Sequence, residues 1–238
     1  MIVLALEAAT SHQSMALYSD QELLGYLETD SSRSLTTQII PTIHQLLGLA
    51  SLNVAALEGL AVSIGPGTFT GLRVGLATMT AFRLALDIPL VGVSTLEGLA
   101  WNLPSSDLPI LSTVAIREEM VYWGIFRWQE NQVVAMEAEQ IGKLADVCAS
   151  LSEPTIVLGD GWIRNQECLI PHNDLVVGGP SDAMWPSAQG VGRAGRVLLK
   201  MGQFLPEGCT PRYIQPTYAE TSQPISSCTG SSEVKPCR

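Results

Sequence analysis

The sequence is poor in positive charge. Lysine and arginine number 13 against 23 aspartates and glutamates, which gives a formal net charge of −10, and the three lysines are Lys143, Lys200 and Lys235. Tight binding of nucleic acid requires many cations to neutralise phosphates. The composition therefore argues against an independent nucleic-acid-binding module.

Histidine and paired cysteines are also scarce. His12, His44 and His172 are the three histidines, and the five cysteines are odd in number and contain no C-x-x-C. These spacings do not indicate a metal site or a disulfide framework, and no G-x-S-x-G nucleophile motif is present. We therefore predict no metal and a reduced, cytoplasmic chain.

Long apolar runs are missing as well. No stretch reaches the roughly 18 apolar residues that span a bilayer. The apolar N-terminus lacks a basic region, and Glu7 interrupts it, so it does not resemble a signal peptide. We expect neither membrane insertion nor export.

The pattern that is present indicates an α/β protein whose two halves share an element order. The first half reads β-β-β-α-β-α-β-α, with strands at 2–10, 14–19, 22–29, 59–65 and 88–93 and helices at 34–50, 71–86 and 94–103. The second half has predicted strands at 110–116, 120–128, 132–137 and 155–159, and a predicted helix at 140–151. A turn is expected at 159–161.

This repetition predicts two related β-β-β-α-β subdomains, an N-terminal one at 1–103 and a C-terminal one at 104–218. A last helix at 186–203 is expected to pack back on the first subdomain. Residues 219–238 are rich in Ser, Thr and Pro without an apolar pattern, which predicts a disordered tail.

A glycine-rich loop at 65–73 joins a predicted buried strand to a helix. Backbone N–H groups at a helix start can bind an anion, so the loop is a candidate anion or nucleotide site formed by Gly65, Gly67, Thr68, Thr70, Gly71 and Arg73. It is not a P-loop, because the lysine of that motif is absent. The alternative is a tight structural turn in which Thr70 caps the helix.

The segment 34–86 contains very little charge. Its charged residues are Glu58, Arg73 and Arg83, and the helix at 71–86 is apolar around nearly its whole circumference. A sheet covers one side of such a helix, and an exposed apolar remainder usually marks a partner site. We therefore predict a protein–protein interface formed by Ile39, Ile40, Ile43, Leu47, Val74, Leu76, Thr78 and Met79.

Three cations share one side of the last predicted helix. Arg193, Arg196 and Lys200 are spaced i, i+3 and i+7, which places them on the same face. They form either a solvated surface or a contact for phosphate.

Three segments resemble the TsaB (YeaZ) family, the dimerisation subunit of the bacterial machinery that makes threonylcarbamoyladenosine in tRNA. They are IVLALEAAT at the first strand, GPGTFTGLRVG at the glycine loop and VSTLEGLA after the fifth strand. The resemblance is clear over 1–103 and weaker to Tyr213.

The resemblance implies an actin/sugar-kinase/Hsp70-like (ASKHA) fold. It also implies a non-catalytic subunit that binds and stabilises a TsaD-type catalytic subunit, is joined by a TsaE-type ATPase and forms a homodimer when alone. The family pairs through helices that correspond to 34–50 and 71–86. On this hypothesis the chain needs no cofactor, because ATP and metal belong to the partner. The modified tRNAs read codons that begin with A, and contact with tRNA is indirect.

Some positions depart from the family pattern. Glu7 and Ala8 stand where Asp-Thr is usual, and Leu35 stands where relatives often have His. Met79 and Arg83 replace smaller residues. The main alternative is an ASKHA-type ATP-binding phosphotransferase that uses the Gly65–Gly71 loop. Glu7 in place of Asp argues against this alternative. A metal-dependent peptidase is a third hypothesis, suggested only by older names in the wider family.

Overall fold

A five-stranded sheet forms the first half of the protein. The structure, a computed structural model, describes residues 1–30, 35–169 and 174–214. The strand order is β3-β2-β1-β4-β5, with β1–β3 antiparallel and β4 and β5 parallel to β1. The strands are β1 (Ile2–Glu7), β2 (His12–Ser19), β3 (Glu22–Asp30), β4 (Gly59–Gly65) and β5 (Leu90–Ser94).

Helices cover both faces of this sheet. Helices α1 (Leu35–Leu49) and α2 (Phe69–Leu86) pack on the face that carries Leu4, Leu6 and Leu60. Helix α3 (Thr95–Ala100) and the last helix, α6 (Ala188–Lys200), pack on the opposite face. The sheet residues alternate between these two apolar clusters, as the period of a strand requires.

A second sheet follows, with order β11-β10-β6-β7-β8 and β9 also paired with β7. Its strands are β6 (Ile110–Arg117), β7 (Met120–Gln129), β8 (Gln132–Ala135), β9 (Gln140–Lys143), β10 (Thr155–Leu158) and β11 (Val176–Gly178). Helices α4 (Leu144–Ala149) and α5 (Asp160–Leu169) accompany it. Trp162 of α5 is 1% exposed and packs in a small core with Val121 and Val157.

The two predicted meanders and the first-half element order are confirmed, and the differences are local. The predicted helix at 140–151 is wrong over 140–143, which pairs with β7 as a strand. The turn expected at 159–161 begins α5, and β11 was not predicted. Glycine intrinsically disfavours a helix. A larger residue would not fit at position 161, however, because a Cβ there would lie 2.6 Å from Val121 Cγ1. The predicted disordered tail at 219–238 lies outside the described residues.

Helix α6 approaches the first sheet closely because glycines face it. Gly192 lies against the ring of Tyr18, and Gly195 lies against the side chain of Ala61. The Tyr18 hydroxyl donates to the carbonyl of Gln189 at 3.1 Å, and the Ala188 amide donates to Ser14 Oγ at 2.8 Å. These contacts fix the last helix on the first sheet.

No helix within the described ranges is long and apolar enough to cross a bilayer.

A pair of glycine variants tests this close approach. In Gly195→Ala the added methyl group overlaps Ala61, so we expect a loss of about 1–3 kcal/mol in the free energy of unfolding. In Gly48→Ala the methyl group meets nothing within 4 Å, so helix propensity should give a gain of roughly 0.5–1 kcal/mol. Urea unfolding measures both. Equal stabilities for the two variants would contradict the packing.

Candidate functional site

The inner faces of α1 and α2 are committed to the protein's own core. Ile39 and Ile43 are each 2% exposed, Leu47 is 5% exposed, Leu76 is 4% exposed and Met79 is fully buried. The expectation that these five side chains are bare is therefore wrong. They belong to the apolar cluster that includes Leu4 and Leu6 of β1, because the larger side chains of both helices are needed to cover the sheet.

The outer surface of α2 is nevertheless largely apolar, and Ile40 of α1 adjoins it, whereas the rest of the exposed side of α1 includes Gln38, His44 and Gln45. Ile40 is 53% exposed and Leu84 is 70% exposed. An open groove of about 480 Å³ runs between the helices and is lined by Ile40, Ala77, Thr78, Ala81, Phe82 and Ala85. We call the outward residues Ile40, Ala77, Ala81, Leu84 and Ala85 the α1–α2 face.

The two remaining residues predicted for the interface lie at the edge of this surface. Val74 is half-buried against the core cluster. Thr78 lines the groove, and its hydroxyl donates to the Val74 carbonyl at 2.8 Å. Because that hydroxyl is satisfied within the helix, covering Thr78 leaves no polar group without a partner.

A second groove, of about 610 Å³, flanks α2 on the side of residues 209–213. Arg73 crosses its end: its guanidinium carbon lies 3.6 Å from the centroid of the Phe69 ring, and its Nε donates to the Tyr213 hydroxyl at 3.1 Å. Arg83 donates to the carbonyl of Leu205 at 2.8 Å. Both cations of α2 thus turn toward the C-terminal segment, and the α1–α2 face stays uncharged.

The sequence pattern indicated the two helices that carry this apolar face, but the interface residues predicted from it do not include Ala77, Ala81, Leu84 and Ala85. The signal was present in the spacing. On α2 the large side chains Leu72, Leu76 and Met79 share one side, and the alanines share the other. In a helix that is apolar all round, the bulkier side should have been assigned to the core, because it buries more area.

The glycines of the 65–73 loop bring it against the end of β1. A Cβ on Gly67 would meet Ala9, and one on Gly71 would meet the Ala8 carbonyl. The Thr68 amide donates to the Ala9 carbonyl at 2.7 Å. Gly65 has φ +114°, which favours glycine. The tight-turn alternative therefore accounts for these glycines, except that Thr68 rather than Thr70 stands at the helix start.

A small cleft of about 220 Å³ lies where this loop faces the second sheet. Of the candidate anion residues, Gly67 and Thr68 line it, and Gly65, Thr70, Gly71 and Arg73 do not. Asp160 reaches the cleft, but its Oδ1 accepts from the Ala115 amide at 2.8 Å and its Oδ2 pairs with Arg164 at 3.2 Å. The cleft is smaller than the roughly 300–1,000 Å³ of typical ligand sites.

Metal ligands do not gather in this cleft or elsewhere in the described part of the chain. Among residues 1–30, 35–169 and 174–214, no three His, Cys, Asp or Glu side chains come together in a way that could hold an ion.

Glu7 ends β1 beside the loop and is completely buried. Burial raises its pKa to about 7, against which the Ala9 amide, the Ser63 hydroxyl and the Ala8 amide act by stabilising the charged form. The Ala9 amide lies 2.5 Å from Glu7 Oε1. The carboxyl group is thus enclosed within the fold rather than open to the cleft.

This sequence and fold match known proteins. Residues 14–159 match the family described as TsaD: tRNA N6-adenosine threonylcarbamoyltransferase. YeaZ from Pseudomonas aeruginosa superimposes with a TM-score of 0.76 at 22% identity, over 90% of this chain and 99% of that one. The protein therefore has the ASKHA fold, as the resemblance implied.

Two relatives narrow the assignment, and both are named tRNA threonylcarbamoyladenosine biosynthesis protein TsaB. The one from Buchnera aphidicola subsp. Schizaphis graminum is 31% identical over 170 residues, which span 68% of this chain and 79% of the relative. The one from Escherichia coli K12 is 29% identical over 169 residues, which span 68% and 72%. The chain belongs to the TsaB (YeaZ) family.

Burial of Glu7 makes stability depend on pH. The folded-state pKa of about 7 exceeds the ordinary 4.5, so the folded protein keeps a proton that the unfolded chain releases above pH 4.5. The free energy of unfolding should therefore fall as the pH rises toward 7, by up to about 3 kcal/mol. Glu7→Gln should remove most of this fall in urea titrations at pH 5 and pH 8.

Glu22→Gln is the matched control, because Glu22 is an exposed carboxyl residue on β3. It should keep the pH dependence of the parent protein. The attribution of the pH dependence to Glu7 fails if Glu7→Gln and Glu22→Gln lose the same amount of stability between pH 5 and pH 8.

Proposed function

We propose that the protein acts in the biosynthesis of threonylcarbamoyladenosine in tRNA as a non-catalytic subunit that binds a TsaD-type catalytic subunit. The observation that carries the proposal is the α1–α2 face, an uncharged apolar surface with an open groove of about 480 Å³ between its helices. The names of the two TsaB relatives supply the pathway.

The shape of the face suits a helical partner. Ala77, Ala81 and Ala85 follow one another at intervals of four residues along α2, so they form a low ridge that lets another helix approach closely. Grooves of about 480 and 610 Å³ lie on the two sides of this ridge. Larger side chains of the partner would fill them, and burial of apolar area would stabilise the complex.

The same face is also the surface through which we propose that two copies of the chain form a homodimer. A single apolar patch can pair with its own copy about a twofold axis. A chain without its catalytic partner would cover the patch in that way, and the homodimer and the heterodimer would exclude each other.

The remaining steps belong to the partners in this proposal. The TsaD-type subunit transfers the threonylcarbamoyl group to tRNAs that read codons beginning with A, and a TsaE-type ATPase joins the assembly. The small cleft, the enclosed Glu7 and glycines already packed on β1 support a structural role over the phosphotransferase alternative. Isolated chain that turned over Mg-ATP would favour that alternative.

A charge placed on the α1–α2 face should prevent association. Ile40→Asp and Ala81→Asp lie at solvent-exposed positions, so the free chain should stay folded. An unpaired charge buried in the complex costs several kcal/mol, so we expect affinity for the TsaD-type subunit to fall by roughly 100-fold or more. Size-exclusion chromatography with light scattering measures how much of each variant co-elutes with the TsaD-type subunit.

Met136→Asp is the matched control, because Met136 is 51% exposed and lies outside the α1–α2 face. It should bind as the parent chain does. Ile43→Asp is not suitable as a test of the interface, because Ile43 is 2% exposed and a charge placed there would destabilise the fold. Full co-elution of folded Ile40→Asp and Ala81→Asp with the catalytic subunit would overturn the assignment.

A further inference from the structure

A second groove, on the opposite side of the first sheet, gathers positive charge in this acidic protein. It has a volume of about 480 Å³ and lies between α6, the end of β7 and the turn that follows β2. Its lining includes Arg193, Arg196, Lys200, Trp128, Gln21 and Asn131. These three cations are the residues that the sequence analysis predicted to share one face of the last helix.

Backbone carbonyls hold the two guanidinium groups in place. Arg193 Nη1 donates to the carbonyls of Trp101 and Asn102, each at 3.0 Å. Arg196 Nε donates to the Gly192 carbonyl at 3.2 Å, and its guanidinium lies 4.2 Å from the centroid of the Tyr18 ring. Carbonyls orient these groups without neutralising their charge.

Carboxylates balance this charge only in part, through Asp20. Within the described ranges, Arg193, Arg196 and Lys200 make no ion pair with a carboxylate. The charge of Asp20 reaches Arg196 and Lys200, but Asp20 already binds the Met1 ammonium group at 2.9 Å. Burial lowers the pKa of Arg196, and repulsion from Arg193 adds to this effect, whereas Tyr18 and Asp20 act against it. A bound anion would relieve that repulsion.

An aromatic ring and two amides complete the groove. Trp128 is half-buried, with its ring edge-on to Trp101 at a centroid distance of 4.9 Å. The side chains of Gln21 and Asn131 are exposed beside it. An indole surface next to amide donors and acceptors suits a flat heterocycle, and the nearby guanidinium groups suit a phosphate.

We propose that this groove binds a nucleoside phosphate, with the base against Trp128 and the phosphate at Arg193, Arg196 and Lys200. A simple inorganic anion would leave the aromatic wall unused. The volume lies within the range of small-molecule sites. The same chemical unit occurs as a free nucleotide and within single-stranded RNA, and the groove lies away from the α1–α2 face, so either source could bind while a partner is docked.

Calorimetric titration of the full chain tests the proposal with AMP, adenosine, inorganic phosphate and a short oligoadenylate. We expect AMP or the oligoadenylate to bind with a Kd below about 1 mM, at least tenfold more tightly than adenosine or phosphate. Lys200→Gln, at an exposed position, should weaken this binding about tenfold, and Trp128→Leu should remove the preference for AMP over phosphate. Tighter binding of the oligoadenylate than of AMP identifies RNA as the source, and the reverse identifies free nucleotide.

Lys143→Gln is the matched control, because Lys143 is an exposed lysine on β9 that does not line the groove. It should bind as the parent chain does. Ile40→Asp should also bind normally, so that failure of the interface and failure of this site remain distinguishable. The proposal is overturned if neither AMP nor the oligoadenylate binds more tightly than phosphate, or if Lys200→Gln and Lys143→Gln have equal effects.

Discussion

The organisation of the molecule depends on a limit of sheet packing: a sheet can cover only one side of a helix. Helices α1 and α2 place their bulky side chains, such as Leu46 and Met79, on the first sheet, where they are fully buried. The other side of α2 carries alanine and leucine instead of charged residues, and Ile40 of α1 extends this surface beside the polar Gln38, His44 and Gln45. An ordinary surface helix would present charge there. The uncharged outer surface is the physical basis for proposing a partner.

Much of this arrangement could be predicted because it follows from local pattern. Alternation and helical spacing located the first sheet, and the scarcity of charge between 34 and 86 indicated the pair of helices that carries the exposed apolar residues Ile40 and Leu84. The individual interface residues were misassigned, since an apolar helix has no polar side to show which face is buried. Likewise, a Cβ at Gly142 would crowd Trp123 and one at Gly161 would crowd Val121, and local pattern does not reveal contacts between residues so distant in sequence.

The glycine loop illustrates a motif whose chemistry the sequence alone could not decide. A turn rich in glycine before a helix is compatible with anion binding and with close packing. In the structure Gly67 and Gly71 lie against the backbone that follows β1, and the adjoining cleft measures only about 220 Å³. The cationic groove along α6 could be predicted only in part. The spacing of its three cations was visible in the sequence, but the contribution of Trp128 from the second sheet was not.

Hydroxyl-radical footprinting of the chain, free at a concentration where it is monomeric and in complex with a TsaD-type subunit, tests the central claim most directly. It reports the solvent access of individual side chains. The account predicts that Ile40 and Leu84, which are 53% and 70% exposed in the chain by itself, become protected in the complex, whereas Met136 keeps its reactivity. A stable complex in which Ile40 and Leu84 remain as reactive as in the free chain would contradict it.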